Sequence, residues 1–240
     1  MIYDHIVVVI EENKSFDTVI NSSDAPYMNY LAQNGTNFTN AHFSSRPSQT
    51  NYIVLFSGHL HGIQCNQIYP KINAPNLYTA LNEVGKSFIC YSEDLPHAGY
   101  DQKEYNAYVR KHNPSCQFAN VPSYINQPFS SFPSVNFNAL PTVSFVVPNQ
   151  DHNAHDGTLK EADTWLYHNI SQYAEWCKKN NSLLIVLFDE PETDLELDVT
   201  IPLIFYGSGI APSINREYVN HQSVVKYILN MYKTRETLGL

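Results

Sequence analysis

Continuous apolar runs of strand length constrain the fold of this 240-residue chain more than any other feature. Such runs lie at 5–10, 143–147, 183–188 and 201–206, and segments with a helical spacing of apolar residues separate them. A strand that is apolar on both sides is buried on both faces, which is typical of a parallel sheet covered by helices. The sequence therefore predicts an α/β fold with a mostly parallel central β-sheet and helices on both faces.

Local signals extend this prediction to the rest of the chain. Asp24 is a plausible N-cap for the first helix, and residues 87–91 have the character of a further strand. A stretch at 114–141 that is rich in Pro, Ser and Asn predicts a long irregular excursion. We find no repeat or linker, so we expect one domain over 1–240 that contains this excursion. The predicted helices lie at 26–33, 48–57, 76–84, 101–110, 159–178 and 219–232.

The composition excludes several classes of protein. Hydrophobic residues make up 43% of the chain, and 14 Lys+Arg against 23 Asp+Glu give a net charge of −9. Because the sequence has no clusters of Lys and Arg, we do not expect it to bind nucleic acid through contacts to the phosphates. No apolar run reaches the roughly 18 residues that a membrane span needs, so we expect no integral membrane segment. The four cysteines have no CxxC spacing, which leaves one or two disulfides open.

Reactive side chains follow three of the predicted strands. These segments are Glu11-Glu12-Asn13, residues 151–156 with two His and two Asp, and Asp189-Glu190. In open α/β sheets, ligands bind beyond the carboxyl ends of the strands. Carboxylate and amide oxygens suit a divalent cation, while imidazole suits phosphate binding or proton transfer. Acidic residues at strand ends can also be ordinary solvated loop residues, and spacing alone leaves both interpretations open.

Ser48 stands at the beginning of the predicted helix 48–57. Backbone N–H groups and the helix dipole at such a position favour an ionised hydroxyl and an anionic substrate. Serine is also a favoured N-cap residue. The position of Ser48 is therefore compatible with a nucleophile or with a helix cap.

Taken together, these segments resemble the phosphoesterase family that contains bacterial acid phosphatases and phosphatidylcholine-type phospholipases C, a branch of the alkaline-phosphatase superfamily. Residues 12–17 (ENKSFD) resemble the family's strand-then-ENxSFD signature. Residues 48–52 (SQTNY), followed by Ser57-Gly58, resemble its nucleophile segment. The motifs KHNP at 111–114 and HDG at 155–157 follow in the family's order. The matches span nearly the whole chain, which implies an alkaline-phosphatase-like sheet.

The resemblance implies a role for each matching position. Ser48 would be the nucleophile that forms a phosphoserine intermediate, and Asn51 would donate a hydrogen bond to a phosphoryl oxygen. His112 and His155 would bind phosphate or protonate the leaving group. The residues expected to hold one divalent metal ion, whose identity the sequence leaves open, are Glu12, Asn13, Ser48, Asp189 and Glu190.

These expectations indicate a hydrolase that cleaves small phosphate monoesters in the manner of an acid phosphatase. Three alternatives remain: a phospholipase C-like phosphodiesterase that acts on a phospholipid head group, a non-catalytic anion-binding relative, and a glycosidase with Glu12 and Glu190 as its paired acids. The resemblance also implies export, although no signal peptide is visible. Two departures, Thr50 in place of a proline and Cys116-Gln117 in place of an aromatic-rich stretch, predict a substrate pocket unlike that of relatives.

Overall fold

The computed structural model describes residues 2–192 and 199–240. Its strands are β1 (His5–Glu11), β2 (Thr36–Phe38), β3 (Ala41–His42), β4 (Phe88–Ser92), β5 (Glu104–Tyr105), β6 (Tyr108–Val109), β7 (Asn126–Pro128), β8 (Val143–Val147), β9 (Ser182–Phe188), β10 (Leu203–Gly207), β11 (Ser213–Asn215) and β12 (Val219–Asn220). Its α-helices are α1 (Phe16–Val19), α2 (Pro26–Asn34), α3 (Ser48–Ser57), α4 (Leu77–Glu83), α5 (Leu159–Cys177) and α6 (His221–Tyr232). Short 3₁₀ turns occupy much of the chain between β6 and β8.

The central sheet has the strand order β11-β2-β10-β9-β1-β8-β4-β7. The five strands β9, β1, β8, β4 and β7 run parallel, and β10 is antiparallel to its neighbours β9 and β2. Helices α2 and α5 pack together, and α6 packs against both α3 and α4. The prediction of a mostly parallel sheet with helices on both faces is confirmed.

Strand β1 positions the site because it lies between β8 and β9. Its residues from Ile6 to Ile10 are completely buried, as expected for a central strand covered on both faces. All three strands are parallel, so their carboxyl ends meet at one edge of the sheet. The segments that follow them are those with the predicted reactive side chains.

The predicted helix at 101–110 is wrong. This segment forms the short hairpin of β5 and β6, followed by a 3₁₀ turn at Arg110–His112. The turn of the hairpin places Asn106 in the left-handed region, with φ of 48°, which Asn tolerates better than most residues. The next backbone N–H, of Ala107, donates to Asp94 Oδ2 at 3.4 Å. This contact with a distant segment and the β-forming residues around the turn favour a hairpin.

One predicted helix cap and one predicted helix start also need correction. Asp24 does not cap α2, because Ala25 occupies the N-cap position and the backbone N–H groups of Tyr27 and Met28 donate to Asp163 at 3.0 and 2.7 Å. The last helix begins at His221 rather than 219, since β12 first pairs with β3. Asn220 caps that helix through its side chain.

Other features follow the sequence more closely. The excursion at 114–141 consists of 3₁₀ turns and the edge strand β7. All four cysteines are free thiols, so neither of the disulfides left open by the sequence is present. Among the described residues, no helix is long and apolar enough to cross a membrane.

Candidate active site

Ser48 is the first residue of α3, and every side chain of this helix is buried. Its Oγ lies 3.0 Å from Glu12 Oε2 and 2.9 Å from Glu190 Oε1. Pro47 occupies the N-cap position, and no side chain there caps the helix. A hydroxyl carries one proton and can donate to only one of two carboxylates at a time. One of the two close contacts therefore needs a further proton or a cation.

Three carboxyl groups meet at this edge of the sheet. Glu12 follows β1, while Asp189 and Glu190 follow β9, and all three are at most 6% exposed. Burial, and next the charge of Glu190, raise the pKa of Asp189 to about 7. Burial, and next the charge of Asp189, raise the pKa of Glu12 well above its ordinary value. These groups resist simultaneous ionisation unless a positive charge joins them.

Orphaned oxygens indicate what such a charge would contact. Glu12 Oε1 and Asp189 Oδ2 are buried and accept no hydrogen bond from any described residue. Buried carboxylate oxygens without donors are the hard ligands that Mg²⁺ or Ca²⁺ prefers, so the donor set fits a divalent cation. Across residues 2–192 and 199–240, no three Asp, Glu, His or Cys side chains already have metal-ligand spacing. The match between this site and a divalent cation therefore rests on the chemistry of its carboxylate oxygens and not on a preformed ligand geometry.

His112 lies against the same acids. Its ring stacks on that of Tyr52, with centroids 4.9 Å apart, and its Nε2 lies 3.0 Å from Glu12 Oε1 without the alignment of a hydrogen bond. Burial, followed by the positive charge of Lys111, lowers the pKa of His112 well below its ordinary value. Burial therefore favours the neutral imidazole of His112, which lies beside a carboxyl group that contacts Ser48.

His155 lies next to His112, with ring centroids 6.0 Å apart. Its Nδ1 lies 2.7 Å from Asp156 Oδ1, and its Nε2 lies 3.4 Å from Lys111 Nζ. An ammonium group can only donate, and a carboxylate can only accept. Gln150 Nε2 also lies 3.3 Å from Nδ1, but the shorter contact with Asp156 and the contact with Lys111 favour the tautomer in which Nδ1 carries the proton and Nε2 accepts from Lys111.

The two predicted asparagines also lie at this edge. Asn51 Oδ1 accepts from the backbone N–H groups of Ser44 and Ser45, and its Nδ2 lies 3.4 Å from Glu190 Oε2. The backbone N–H of Asn13 donates to Asp189 Oδ1 at 3.0 Å, and its side-chain oxygen lies 3.5 Å from Lys14 Nζ. The structure thus brings all the predicted site residues to one edge of the sheet.

One histidine considered at the strand ends lies elsewhere. His152 Nδ1 lies 3.0 Å from Glu93, and its ring stacks beside that of Trp165 at 6.5 Å. Sequence reasoning in turn missed three residues near the acids. Lys111 contacts His155, Tyr52 stacks on His112, and Arg46 Nη1 lies 3.8 Å from Glu190 Oε2. Their only signal was adjacency to a motif, because no local spacing separates such residues from ordinary surface or core positions.

Comparison with known proteins defines the class. Residues 18–235 match the Phosphoesterase family, and the chain belongs to it. Solved structures of low identity share the fold. A protein of the alkaline phosphatase superfamily from Vibrio parahaemolyticus has a TM-score of 0.65 at 11% identity, over 98% of this chain and 67% of that one. A lipoteichoic acid synthase from Listeria monocytogenes also has a TM-score of 0.65 at 11% identity, over 97% and 72%.

Closer relatives are phosphatases. The chain is 39% identical over 235 residues to a phosphatidylinositol-3-phosphatase of Mycobacterium tuberculosis, which covers 97% of this chain and 78% of that protein. It is 30% identical over 206 residues to a phosphate-repressible acid phosphatase of Penicillium chrysogenum, over 80% of this chain and 49% of that protein. The chain thus spans about half the length of the fungal enzyme. It is a hydrolase that acts on phosphoric ester bonds.

Proposed function

We propose that this enzyme hydrolyses phosphate monoesters through a phosphoserine intermediate on Ser48, assisted by one divalent cation. The observation that carries the proposal is the contact of the buried Ser48 Oγ with two buried carboxylates at 2.9 and 3.0 Å. A serine that served only as a helix cap would direct its oxygen to the backbone N–H groups of the first turn. The hydroxyl of Ser48 is directed to acids instead, which supports its role as a nucleophile.

The cation would be held by Glu12, Asp189 and Glu190, with Ser48 and Asn13 as further oxygen donors. When bound, a divalent cation lowers the pKa of a coordinated hydroxyl and stabilises the charge that develops on the phosphoryl oxygens. The orphaned oxygens of Glu12 and Asp189 support this ligand set. The excess of buried negative charge supports it as well.

The side chains of the enzyme account for the proton transfers. As Ser48 Oγ forms its bond to phosphorus, its proton passes to the hydrogen-bonded carboxylate of Glu12 or Glu190. The bond between phosphorus and the leaving oxygen breaks, and we assign protonation of that oxygen to His155 in its doubly protonated form, whose ring Asp156 orients through Nδ1. Water then attacks the phosphoserine: its hydroxide portion joins phosphorus, the bond between phosphorus and Ser48 Oγ breaks, Oγ regains its proton from Glu12 or Glu190, and the proton of the water returns to His155. The products are the alcohol and inorganic phosphate.

The relatives support a monoester substrate over the diester of a phospholipase C. Both are named phosphatases, one for a phosphorylated phosphatidylinositol and one for acid phosphatase activity. The first name makes a phosphorylated lipid head group a candidate substrate beside small soluble esters. A glycosidase would use paired acids but would need neither Ser48 nor the histidines.

Substitution of Ser48 tests the proposal against a matched control. Ser48→Ala should lower kcat/KM for a chromogenic phosphate monoester by about a thousandfold or more, as for other nucleophile deletions. Ser57→Ala removes a buried hydroxyl at the other end of α3, where it donates to Ile53 O, and should change kcat/KM by less than about threefold. Equal activity of Ser48→Ala and wild type would refute the mechanism.

Substrate and chelator comparisons separate the alternatives. We expect hydrolysis of the monoester, little hydrolysis of a phosphodiester or a glycoside, and loss of activity with a chelator that an added divalent cation reverses. A preference for the diester would favour the phospholipase C-like alternative. Phosphate binding without turnover of any of the three would favour the non-catalytic relative.

A further inference from the structure

A cavity of about 240 Å³ is lined by residues of α3, of the segment 66–68 and of the segment that leads into the 3₁₀ turn at Arg110–His112. Its lining includes Gln49, which follows Ser48 in the chain, and Lys111, which precedes His112. The Nζ of Lys111 also lies 3.4 Å from Nε2 of His155. Lys111 therefore links the cavity to the histidine to which we assign protonation of the leaving group, and Gln49 joins it to the helix that carries the nucleophile.

Hydrogen bonds fix one wall of this cavity to the helix that carries Ser48. Gln49 Oε1 accepts from the backbone N–H of Gln67 at 2.8 Å, and its Nε2 donates to Gln67 O at 2.9 Å. Asn66 Oδ1 accepts from the backbone N–H of Gln49 at 3.1 Å. These bonds hold the segment with Ile68 at a defined distance from the nucleophile.

The opposite wall is held by Arg110 and Gln117. The guanidinium of Arg110 donates to Asp101 Oδ1, Gln117 Oε1 and Cys116 O at 2.6 to 3.1 Å. Gln117 Oε1 also accepts from Gln49 Nε2 at 3.2 Å, which joins the two walls. Cys116-Gln117 is the segment in which the sequence departs from the family's aromatic-rich stretch, so the departure lies behind the wall, in contact with the lining residues Arg110 and Gln49.

The charged groups of the lining engage one another or partners outside the cavity. Lys103 lies 3.7 Å from Glu104, which also lines the cavity, while Arg110 pairs with Asp101 and Lys111 reaches toward His155. Long cationic side chains cover surfaces with their methylene stems while their charged ends lie elsewhere. The stems, together with Ile68 and Val109, therefore give the cavity an apolar surface. Ile68 is 59% exposed, so this surface is open to a ligand.

We propose that this cavity is the leaving-group subsite and that it selects phosphate esters whose alcohol portion is apolar and about the size of an aromatic ring system. The inference rests on the proposed function, because the phosphoryl group must lie at Ser48 for the alcohol to reach the cavity. Pockets that enclose a whole drug-sized ligand have volumes of roughly 300–1,000 Å³. A cavity of about 240 Å³ therefore suits one part of a substrate.

The test compares kcat/KM for 2-naphthyl phosphate with kcat/KM for glycerol 3-phosphate in each variant. Leaving-group acidity cancels, because every variant is measured on the same two esters. Ile68→Ser should lower the ratio of the two kcat/KM values, naphthyl over glycerol, by about five- to tenfold. This is near the low end for the loss of apolar contacts in a pocket, because Ile68 is partly exposed. Ile68→Leu, which keeps the apolar surface, should retain most of the ratio.

Ile214→Ser is the matched control. Ile214 is 56% exposed and lies on the edge strand β11, outside the lining of this cavity. If Ile68→Ser moves the ratio no more than Ile214→Ser does, the subsite inference is wrong while the proposed function stands. If the wild-type enzyme hydrolyses neither ester, the proposed function and the subsite inference both fail.

Discussion

Two groups of acids lie near the strand ends, and they differ in what their oxygens contact. The first group, Glu12, Asp189 and Glu190, surrounds Ser48. The second group consists of Glu93 and Asp163. Both oxygens of Asp163 accept backbone N–H groups of α2, and Glu93 accepts from the Trp165 indole at 2.8 Å and from the backbone N–H of Asn149 at 3.0 Å.

The difference separates structural acids from catalytic ones. The protein's own N–H groups satisfy the second group, which holds α2, α5 and the loop after β8 together. In the first group, Glu12 and Asp189 each keep one buried oxygen that no described residue satisfies. Burying such a group is costly unless it binds a proton, a cation or a substrate. Location at a strand end does not distinguish the two groups, whereas the supply of donors does.

Glu11 shows that an orphaned carboxyl alone is not sufficient. It is completely buried and neither of its oxygens accepts a hydrogen bond from a described residue. Burial, and next the charge of Asp163, raise its pKa well above the ordinary value. A single carboxyl can satisfy this environment by staying protonated. Glu12 differs because it also contacts Ser48 and shares its site with two further acids.

Among the acids of the two groups and Glu11, the largest effect should come from Glu12→Gln. This change keeps the shape of the side chain but removes a carboxylate that contacts Ser48 and is proposed to hold the cation. We expect kcat/KM for a phosphate monoester to fall by about a thousandfold, comparable to the loss of a main electrostatic group in other enzymes. The unfolding free energy should stay the same or rise, because buried repulsion is removed. Activity within tenfold of wild type would contradict the account.

The next-largest effect is expected in the unfolding free energy, as pH and the divalent cation are varied. The pKa of Asp189 is raised to about 7, so the folded protein binds more protons than the unfolded chain between about pH 4 and 7. In the presence of a chelator, the contribution of Asp189 to the unfolding free energy should therefore be greatest below pH 4 and fall as pH rises through 7, by a few kcal/mol at about 1.4 kcal/mol per pKa unit. It is read as the difference between wild type and Asp189→Asn, because the lowered pKa values of buried His112 and His221 act in the opposite sense. A divalent cation should restore stability at pH 7.5.

Urea titrations at several pH values measure this dependence. Asp189→Asn serves as the reference because it removes only this titrating group, so the unfolding free energy of the wild type minus that of Asp189→Asn should fall as pH rises through 7 in the presence of chelator. A difference that stays constant or increases with pH between 5 and 7.5 would contradict the proposed crowding of carboxylates.

A smaller effect is expected for Asp163→Asn. The amide can accept with only one of its two end groups, so one of the backbone N–H groups at the start of α2 loses its acceptor. The unfolding free energy should fall by about 1–2 kcal/mol, while activity per folded molecule stays within about threefold. Asp24→Asn is the matched control, since exposed Asp24 does not cap this helix, and it should change stability by less than about 0.5 kcal/mol.

The smallest effect is expected for Glu11→Gln, the direct neighbour of the most sensitive position. A neutral amide replaces a carboxyl that the buried environment already favours in its neutral form. Activity should stay within about threefold of wild type, and the unfolding free energy should change by less than about 1 kcal/mol. A loss of activity as large as that of Glu12→Gln would remove the distinction between the two adjacent acids.

The sequence predicted the parts of the fold that depend on local pattern and on burial. Strands β1, β8 and β9 were visible as apolar runs, and their mutual adjacency explains why the segments after them meet. The hairpin of β5 and β6 was missed because its aromatic and apolar spacing also fits a helix, and a contact with Asp94 decides between them. The contact of Asp163 with α2 spans about 135 residues and leaves no local signal.

The candidate site was predictable only as a set of residues. Family motifs indicated Ser48, His112, His155 and the acids, but nothing in their spacing shows which carboxylate oxygens lack donors. That property depends on Trp165, Asn149 and α2, which reach Glu93 and Asp163 but not Glu12. The cavity beside Gln49 was predicted only as a departure from the family at Cys116-Gln117, since its walls combine three separate segments.

Trapping the covalent intermediate tests the central claim most directly. The enzyme is incubated with a monoester carrying a labelled phosphoryl group, quenched in acid and digested, and the labelled peptide is sequenced. We predict label on Ser48 in the wild type and none in Ser48→Ala, with Ser57→Ala labelled like the wild type. Turnover in which label never appears on Ser48 after the acid quench, in which phosphoserine is stable, would contradict the proposal that Ser48 is the nucleophile.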